Sequence, residues 1–217
     1  MLVRSFETVG IISFFLASYR IFFWIESQHA LSSLSFFLVL VLSYWTGDFL
    51  SGLIHWLCDR FGNSNTPILG PLIIHPFRYH HADPQKIVRE SVIENLGASA
   101  IAGCFFLLLF VLIEFDKFSY LQACMAQFYL WTVIFSVFSN LSHRWSHFSQ
   151  RKKPFWLKWA QKTGLVISSE EHLKHHARPF RSHYCILCGW ANPLTNRIPW
   201  EYIEALAVRI GISVDKG

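Results

Sequence analysis

The sequence predicts an all-α integral membrane protein: four transmembrane helices in two hairpins, a histidine-rich cap on one membrane face, and an interfacial amphipathic helix. Three observations predict it. Of the 217 residues, 53% are hydrophobic and only 15% are charged, against about 25% charged in average soluble chains. The apolar residues gather into four runs, each near the ~20 residues that cross a bilayer. All but one of the 11 histidines fall on, or at the border of, a single side of those runs.

The first run, Val9 to Ile25, contains Arg20, which snorkels or faces a partner helix. The second is Leu31 to Leu57, the third Leu96 to Phe115 and the fourth Tyr120 to Leu141. Only Glu26–Ala30 separates the first two, and only Asp116–Ser119 the last two, so both pairs read as tight helical hairpins. The N-terminus, the Cys58–Asn95 loop and the chain after Ser142 then share one side. All 19 Lys and Arg except Arg20 and Lys117 fall there, and the positive-inside rule makes that face cytoplasmic.

The second run makes about 40 Å of helix at ~1.5 Å per residue, more than the roughly 30 Å of hydrocarbon it has to cross. Its end, Gly47 to Trp56, is expected to emerge at the interface. Gly47, Ser51 and Gly52 permit close packing there. Asp48 is costly against lipid and is expected to face the protein interior or a polar cavity; the blander reading is a helix cap or a snorkelling acid. Asn63–Pro67 reads as a turn-rich loop. Further on, Arg151–Pro154 leads into Phe155–Lys162, whose mix of Trp and Lys suits a helix lying in the membrane interface.

One domain over residues 1–217 is expected at this length. The net charge of +5 is too small for a nucleic-acid binder. Five cysteines, with Cys104 and Cys124 in apolar runs, do not make an extracellular disulfide framework. No small-residue cleavage site follows the first run, which therefore reads as a retained span.

Four constellations carry chemistry. They are His55-x-x-x-Asp59, the His80–His81 pair within Arg78–Pro84, His143-x-x-x-His147, and His172-x-x-His175–His176. One His pair spaced by a helical turn arises in ordinary helices; four such clusters sorted to one membrane face do not. Imidazole suits Zn, Cu, Fe and Ni. A single zinc takes three or four protein ligands, fewer than this set of eight His and one Asp, which fits a pair of metals. No H-E-x-x-H is present, because Leu173 and Lys174 follow Glu171–His172, so a zinc peptidase lacks its general base. Haem needs paired axial histidines facing each other within helices, and the spans offer only His55, at the emerging end of the second. Two non-haem irons open to O2 match best, and such a site serves the oxidation of an unactivated C–H bond, which no side chain performs.

Five motifs then make the chain resemble the membrane lipid desaturase family: Gly-Asp-Phe-x-Ser-Gly-x-x-His-Trp-x-x-Asp (47–59), Pro-Phe-Arg-x-His-His-x-Asp-Pro (76–84), His-x-Trp-Ser-His (143–147), His-x-x-His-His (172–176) and Tyr-Cys-Ile-x-x-Gly-Trp-x-Asn (184–192). The family includes desaturases of plasmanylethanolamine and of plastid phosphatidylglycerol, and the similarity runs from about residue 44 to 205. It implies an O2-dependent di-iron enzyme of a bacterial inner membrane or the endoplasmic reticulum, fed electrons by cytochrome b5 or ferredoxin. Its ligands would be His55, Asp59, His80, His81, His143, His147, His172, His175 and His176. The substrate expected is a 1-alkyl ether phospholipid, converted to the vinyl ether of a plasmalogen. An acyl-lipid desaturase working near the carboxyl end of a fatty chain is the alternative. A non-catalytic metal- or haem-binding subunit is the alternative of another class.

Asp48, Arg78 and Asp83 are expected beside the metals or the substrate. Arg78 would hold a lipid phosphate or orient Asp59 or Asp83; Asp83 would accept from the free nitrogen of a liganding His. His29, His75 and His183 lie outside the motifs, and Cys185-x-x-Cys188 alone does not complete a tetrahedral zinc site.

Overall fold

The computed structural model describes residues 2–112 and 118–215. The described chain is mostly helical, with no strand and one isolated antiparallel bridge between Phe61 and Val214. Four long helices are apolar enough to cross a membrane: α1 (Leu2–Gln28), α2 (Ser33–Arg60), α5 (Val92–Val111) and α6 (Tyr120–Ser146). Between α2 and α5 come a π-helical turn (Gly70–Ile74), α3 (His75–Ala82) and α4 (Lys86–Arg89). After α6 come α7 (Phe155–Lys162), α8 (Ser169–His175), α9 (Asn192–Thr195) and α10 (Trp200–Arg209). α1 runs past its expected bounds at both ends, α2 and α6 past theirs at the C-terminal end and α5 at the N-terminal end, because polar residues there still satisfy the helical ladder; α2 starts at Ser33, two residues later than expected. The end of the third expected span and the turn residues Asp116 and Lys117 lie outside the described residues.

The chain divides into two compact units. The first comprises Met1–Gly47 and Ser91–Leu141. Its core is Phe14, Ile21, Ile25, Leu107, Leu130 and their neighbours. Gly103 allows α5 to approach α1: a Cβ there would sit 2.6 Å from the Phe14 ring. Ser91 caps α5 in a box with Glu94, which also takes Arg4 at 2.9 Å. Large apolar side chains also cover the outside, among them Phe6, Phe15, Tyr19, Phe37 and Leu121, and Arg20 is exposed with them. So much outward apolar surface fits lipid as the surrounding solvent.

The second unit comprises Asp48–Glu90 and Ser142–Gly217. Trp56, Tyr184 and Trp200 form its aromatic core. Glu204 of α10 is buried and receives Arg60 through two contacts, at 2.9 and 3.0 Å, and Trp56 Nε1 at 3.1 Å. This pairing answers the cost of burying both charges. The short α7 falls where the Trp–Lys pattern placed it, with Phe155, Trp156 and Trp159 exposed.

Candidate metal centre

Each histidine cluster sits at a helix end in the second unit. The last turns of α2 carry His55 and Asp59, α3 carries His80 and His81, and α6 carries His143, with His147 in the turn after it. α8 carries His172 and His175, with His176 as its C-cap, and starts at Ser168, whose side chain accepts from Glu171 N.

The structure brings all nine expected ligands together, in two groups. His80, His143, His147, His172 and His176 offer ring nitrogens that all lie within 4.8 Å of one another; so do the ligand atoms of His55, Asp59, His81 and His175. The partition cuts through both doublets. His80 and His81 are neighbours in sequence but join different groups, as do His175 and His176. Consecutive helical residues do not face the same way, so a doublet naturally serves two sites.

In the first group, His80 Nε2 is 3.0 Å from His143 Nε2 and 3.1 Å from His176 Nε2. His176 Nε2 is 3.0 Å from His172 Nε2. Nitrogens at right angles around an ion ~2.1 Å away stand about 3.0 Å apart. Burial, reinforced by neighbouring imidazoles, pushes His80 down to about 2, His176 to about 3 and His147 to about 4. It also holds His172 well below the ordinary histidine value. These rings are therefore neutral at pH 7, with lone pairs available.

The second group makes the sharper test of metal fit. His55 Nδ1 is 3.0 Å from the Tyr184 carbonyl, and His175 Nδ1 is 2.8 Å from that of Ser182. A carbonyl only accepts, so each Nδ1 carries the proton and a neutral ring's Nε2 is left as a lone pair. Asp59 Oδ2 lies 3.6 Å from His55 Nε2 and 3.5 Å from the Nε2 atoms of both His81 and His175. Neither Asp59 oxygen receives a hydrogen bond, although the residue is buried. Such acceptors crowded without a donor are costly unless a cation lies among them. The residues present fit a bound metal, and the carbonyls of Tyr184 and Ser182 orient its ligands as outer partners do.

Asp48 fixes the loop that follows Tyr184. It is fully buried, and its Oδ1 accepts from the backbone N–H of Leu187, Cys188 and Gly189 at 3.1, 2.9 and 3.1 Å. Its Oδ2 accepts from Ala191 N at 2.9 Å. Ser51 Oγ accepts from Ile186 N, and Asn192 Oδ1 from Cys185 N. Gly52 is needed where this loop meets α2, since a Cβ would stand 2.6 Å from Cys185 Sγ.

Two sets of expected contacts are not made, those of Asp83 to a histidine and of Arg78 to Asp59 or Asp83. Asp83 pairs with the exposed Arg89 rather than with a histidine, because its position past the end of α3 turns it away from the cluster. Arg78 reaches neither Asp59 nor Asp83 by a hydrogen bond: its donors take the carbonyls of Cys58 and Phe61 and the carboxylate of Asp215. His29 and His75 are exposed, and His183 bonds Ser182 and Asn196. Cys185 and Cys188 are free, buried thiols whose pKa values burial raises. Sequence reasoning missed the carbonyls of Ser182 and Tyr184, which any residue type supplies. It also missed Glu204, which α10 turns inward.

These helices and this site define a class: a multi-pass membrane protein with a paired histidine–carboxylate centre suited to metal. The chain belongs to the lipid desaturase domain family, which matches residues 44–212. It is 36% identical over 167 residues to plasmanylethanolamine desaturase 1 of Mus musculus, covering 73% of this chain and 60% of that protein. It is 28% identical to plasmanylethanolamine desaturase of Myxococcus xanthus, covering 89% of this chain and 68% of that protein. Fatty acid desaturase 4, chloroplastic, of Arabidopsis thaliana is 32% identical, with 74% and 48% covered. The chain thus spans less than two thirds of the mouse relative and about half of the plant one. No solved structure matches it.

Proposed function

We propose that this protein is an O2-dependent di-iron desaturase of a membrane phospholipid, converting a 1-alkyl ether lipid to its 1-alkenyl vinyl ether. The observation that carries the reading is the pair of adjacent ligand groups, five histidines beside three histidines and Asp59. Two irons held there supply the redox chemistry with O2 that removing hydrogen from an unactivated alkyl chain requires. The balance is simple. Two C–H bonds break, one C=C forms, and O2 takes those two hydrogens plus two electrons and two protons to give two waters. The electrons come from an external donor of the cytochrome b5 or ferredoxin type.

The chain's own residues do the holding. His55 and His175 keep their protons on Nδ1, against the Tyr184 and Ser182 carbonyls, and present Nε2 inward. Asp59 supplies the carboxylate oxygens, a harder donor among the imidazoles. Similarity to relatives named plasmanylethanolamine desaturase favours the ether lipid; the likeness to chloroplastic fatty acid desaturase 4 keeps an acyl-lipid substrate as the second reading. The distribution of Lys and Arg supports a cytoplasmic metal site.

Lipid mass spectrometry of cells expressing the wild type and His175→Ala tests this. Vinyl ethers appear with the wild type and fall to background in the variant, and the purified wild type carries two irons per chain. A double bond in an ester-linked chain instead selects the acyl reading. Haem, a single zinc, or turnover without O2 would end both.

A further inference from the structure

A cavity of about 180 Å³ opens beside the second ligand group, lined by Asp59, Arg60, Arg78, His81, Phe180 and Asp215. One wall is Asp59 and His81 themselves. Phe180 adds an apolar surface, its ring 4.6 Å from that of His81 at the ring centroids. The two arginines differ in availability. Arg60 is neutralised by Glu204 at 2.9 Å, with both side chains buried. Arg78 is built otherwise. Its Nε donates to Cys58 O at 3.1 Å and its Nη2 to Phe61 O at 3.0 Å, so two carbonyls at the end of α2 fix the guanidinium plane. Its Nη1 donates to Asp215 Oδ2 at 2.7 Å.

That carboxylate is 42% exposed and Arg78 23% exposed. Asp215 reaches it on a short segment held by the Phe61–Val214 bridge and by a 2.7 Å bond from Asp215 N to Arg60 O. A fixed guanidinium facing a metal-side cavity is thus already paired with an anion, and a part-exposed pair of this kind exchanges cheaply. Guanidinium binds carboxylate and phosphate through the same fork, and phosphate brings more charge and more acceptor oxygens. In a glycerophospholipid the phosphate and the first carbons of the sn-1 chain are only a few bonds apart. Phosphate on the Arg78 side therefore brings those carbons towards the wall of Asp59 and His81.

We propose that Arg78 is the phosphate-recognition residue for the lipid substrate, and that Asp215 is a displaceable carboxylate that occupies it in the lipid-free protein. This rests on the phospholipid desaturase reading above. The test uses the full chain in detergent and three probes: lyso-phosphatidylethanolamine, a monoacylglycerol of the same chain length, and inorganic phosphate. Wild type binds the phosphate-bearing lipid more tightly than the monoacylglycerol, and Arg78→Gln erases that preference with a loss of about tenfold or more. Kinetically, Arg78→Gln raises KM while kcat and iron content hold. Asp215→Asn, at a part-exposed position, tightens the lipid, and Arg78→Lys, which keeps the charge without the fork, retains part of the preference.

An undiminished preference in Arg78→Gln would overturn the proposal. So would an Asp215→Asn variant that weakens binding, since the pair would then be a structural tie. If inorganic phosphate binds as tightly as the lipid, the site takes free phosphate and the lipid assignment fails. Arg78-dependent lipid binding by a wild type that forms no double bond leaves this site standing and sinks the desaturase reading instead.

Discussion

At the scale of single residues, His80, His147, His172 and His176 are imidazoles kept neutral by burial. His80, His176 and His147 sit at about 2, 3 and 4 in the folded protein, against 6.5 for a free side chain. The unfolded chain therefore binds more protons than the folded one as soon as pH falls below 6.5, and stability declines with it. The contribution is full above 6.5 and drains away from there down towards the folded values. Protons also compete with metal for the same lone pairs. Metal-free protein is expected to melt at a constant temperature above that pH and at progressively lower temperatures below it, which a thermal scan in detergent across pH 5 to 8 measures. A flat profile down to pH 5 would contradict the burial of these rings. The identity of these residues was legible in the sequence because His and Asp announce their own chemistry. Their sorting into two groups was not, since it depends on how four helix ends are aimed.

Among the elements, the loop from Ser182 to Asn192 matters most and was the hardest to read. It has no periodicity, and its contributions to His55 and His175 are backbone carbonyls. Only the motif around Tyr184 marked it. Asp48 was legible as a buried acid from its place in an apolar run, but its partners are amides and so invisible to a sequence pattern. Asp48→Asn keeps the size and removes the charge. The amide nitrogen can accept from nothing, so at least one loop N–H is orphaned, at a cost of about 1–3 kcal/mol. The loop then loosens under two metal-facing histidines, and metal affinity is expected to fall by about 10–100-fold, as when outer partners of a site are lost. Iron content and melting temperature of the purified variant check this; wild-type iron retention would assign Asp48 to stability alone.

For the whole molecule, hydrophobic run length and the sorting of charge carried most of the information. The four membrane helices, α7 and the placement of His55 and His143 at the ends of spans follow from them, whereas the short α3 and α8 do not. α10 escaped because its outward residues include the apolar Tyr202, Ile203 and Leu206 while its inward ones include Glu204, which works against the usual amphipathic signal. In a cysteine-free background, Lys152→Cys and His29→Cys place reporters at two exposed positions expected on opposite faces. A membrane-impermeant maleimide applied to right-side-out vesicles is expected to label His29→Cys and spare Lys152→Cys. The opposite pattern would put the metal site outside.

The split doublets carry a consequence of their own. With His80–His81 and His175–His176 each divided between the two groups, α3 and α8 act as axles that each drive two gears. A rotation that improves the aim of one histidine spoils that of its neighbour. A drifting sequence can retune α2 for one pocket or the end of α6 for the other, but any change in the aim of α3 or α8 is felt at once in both.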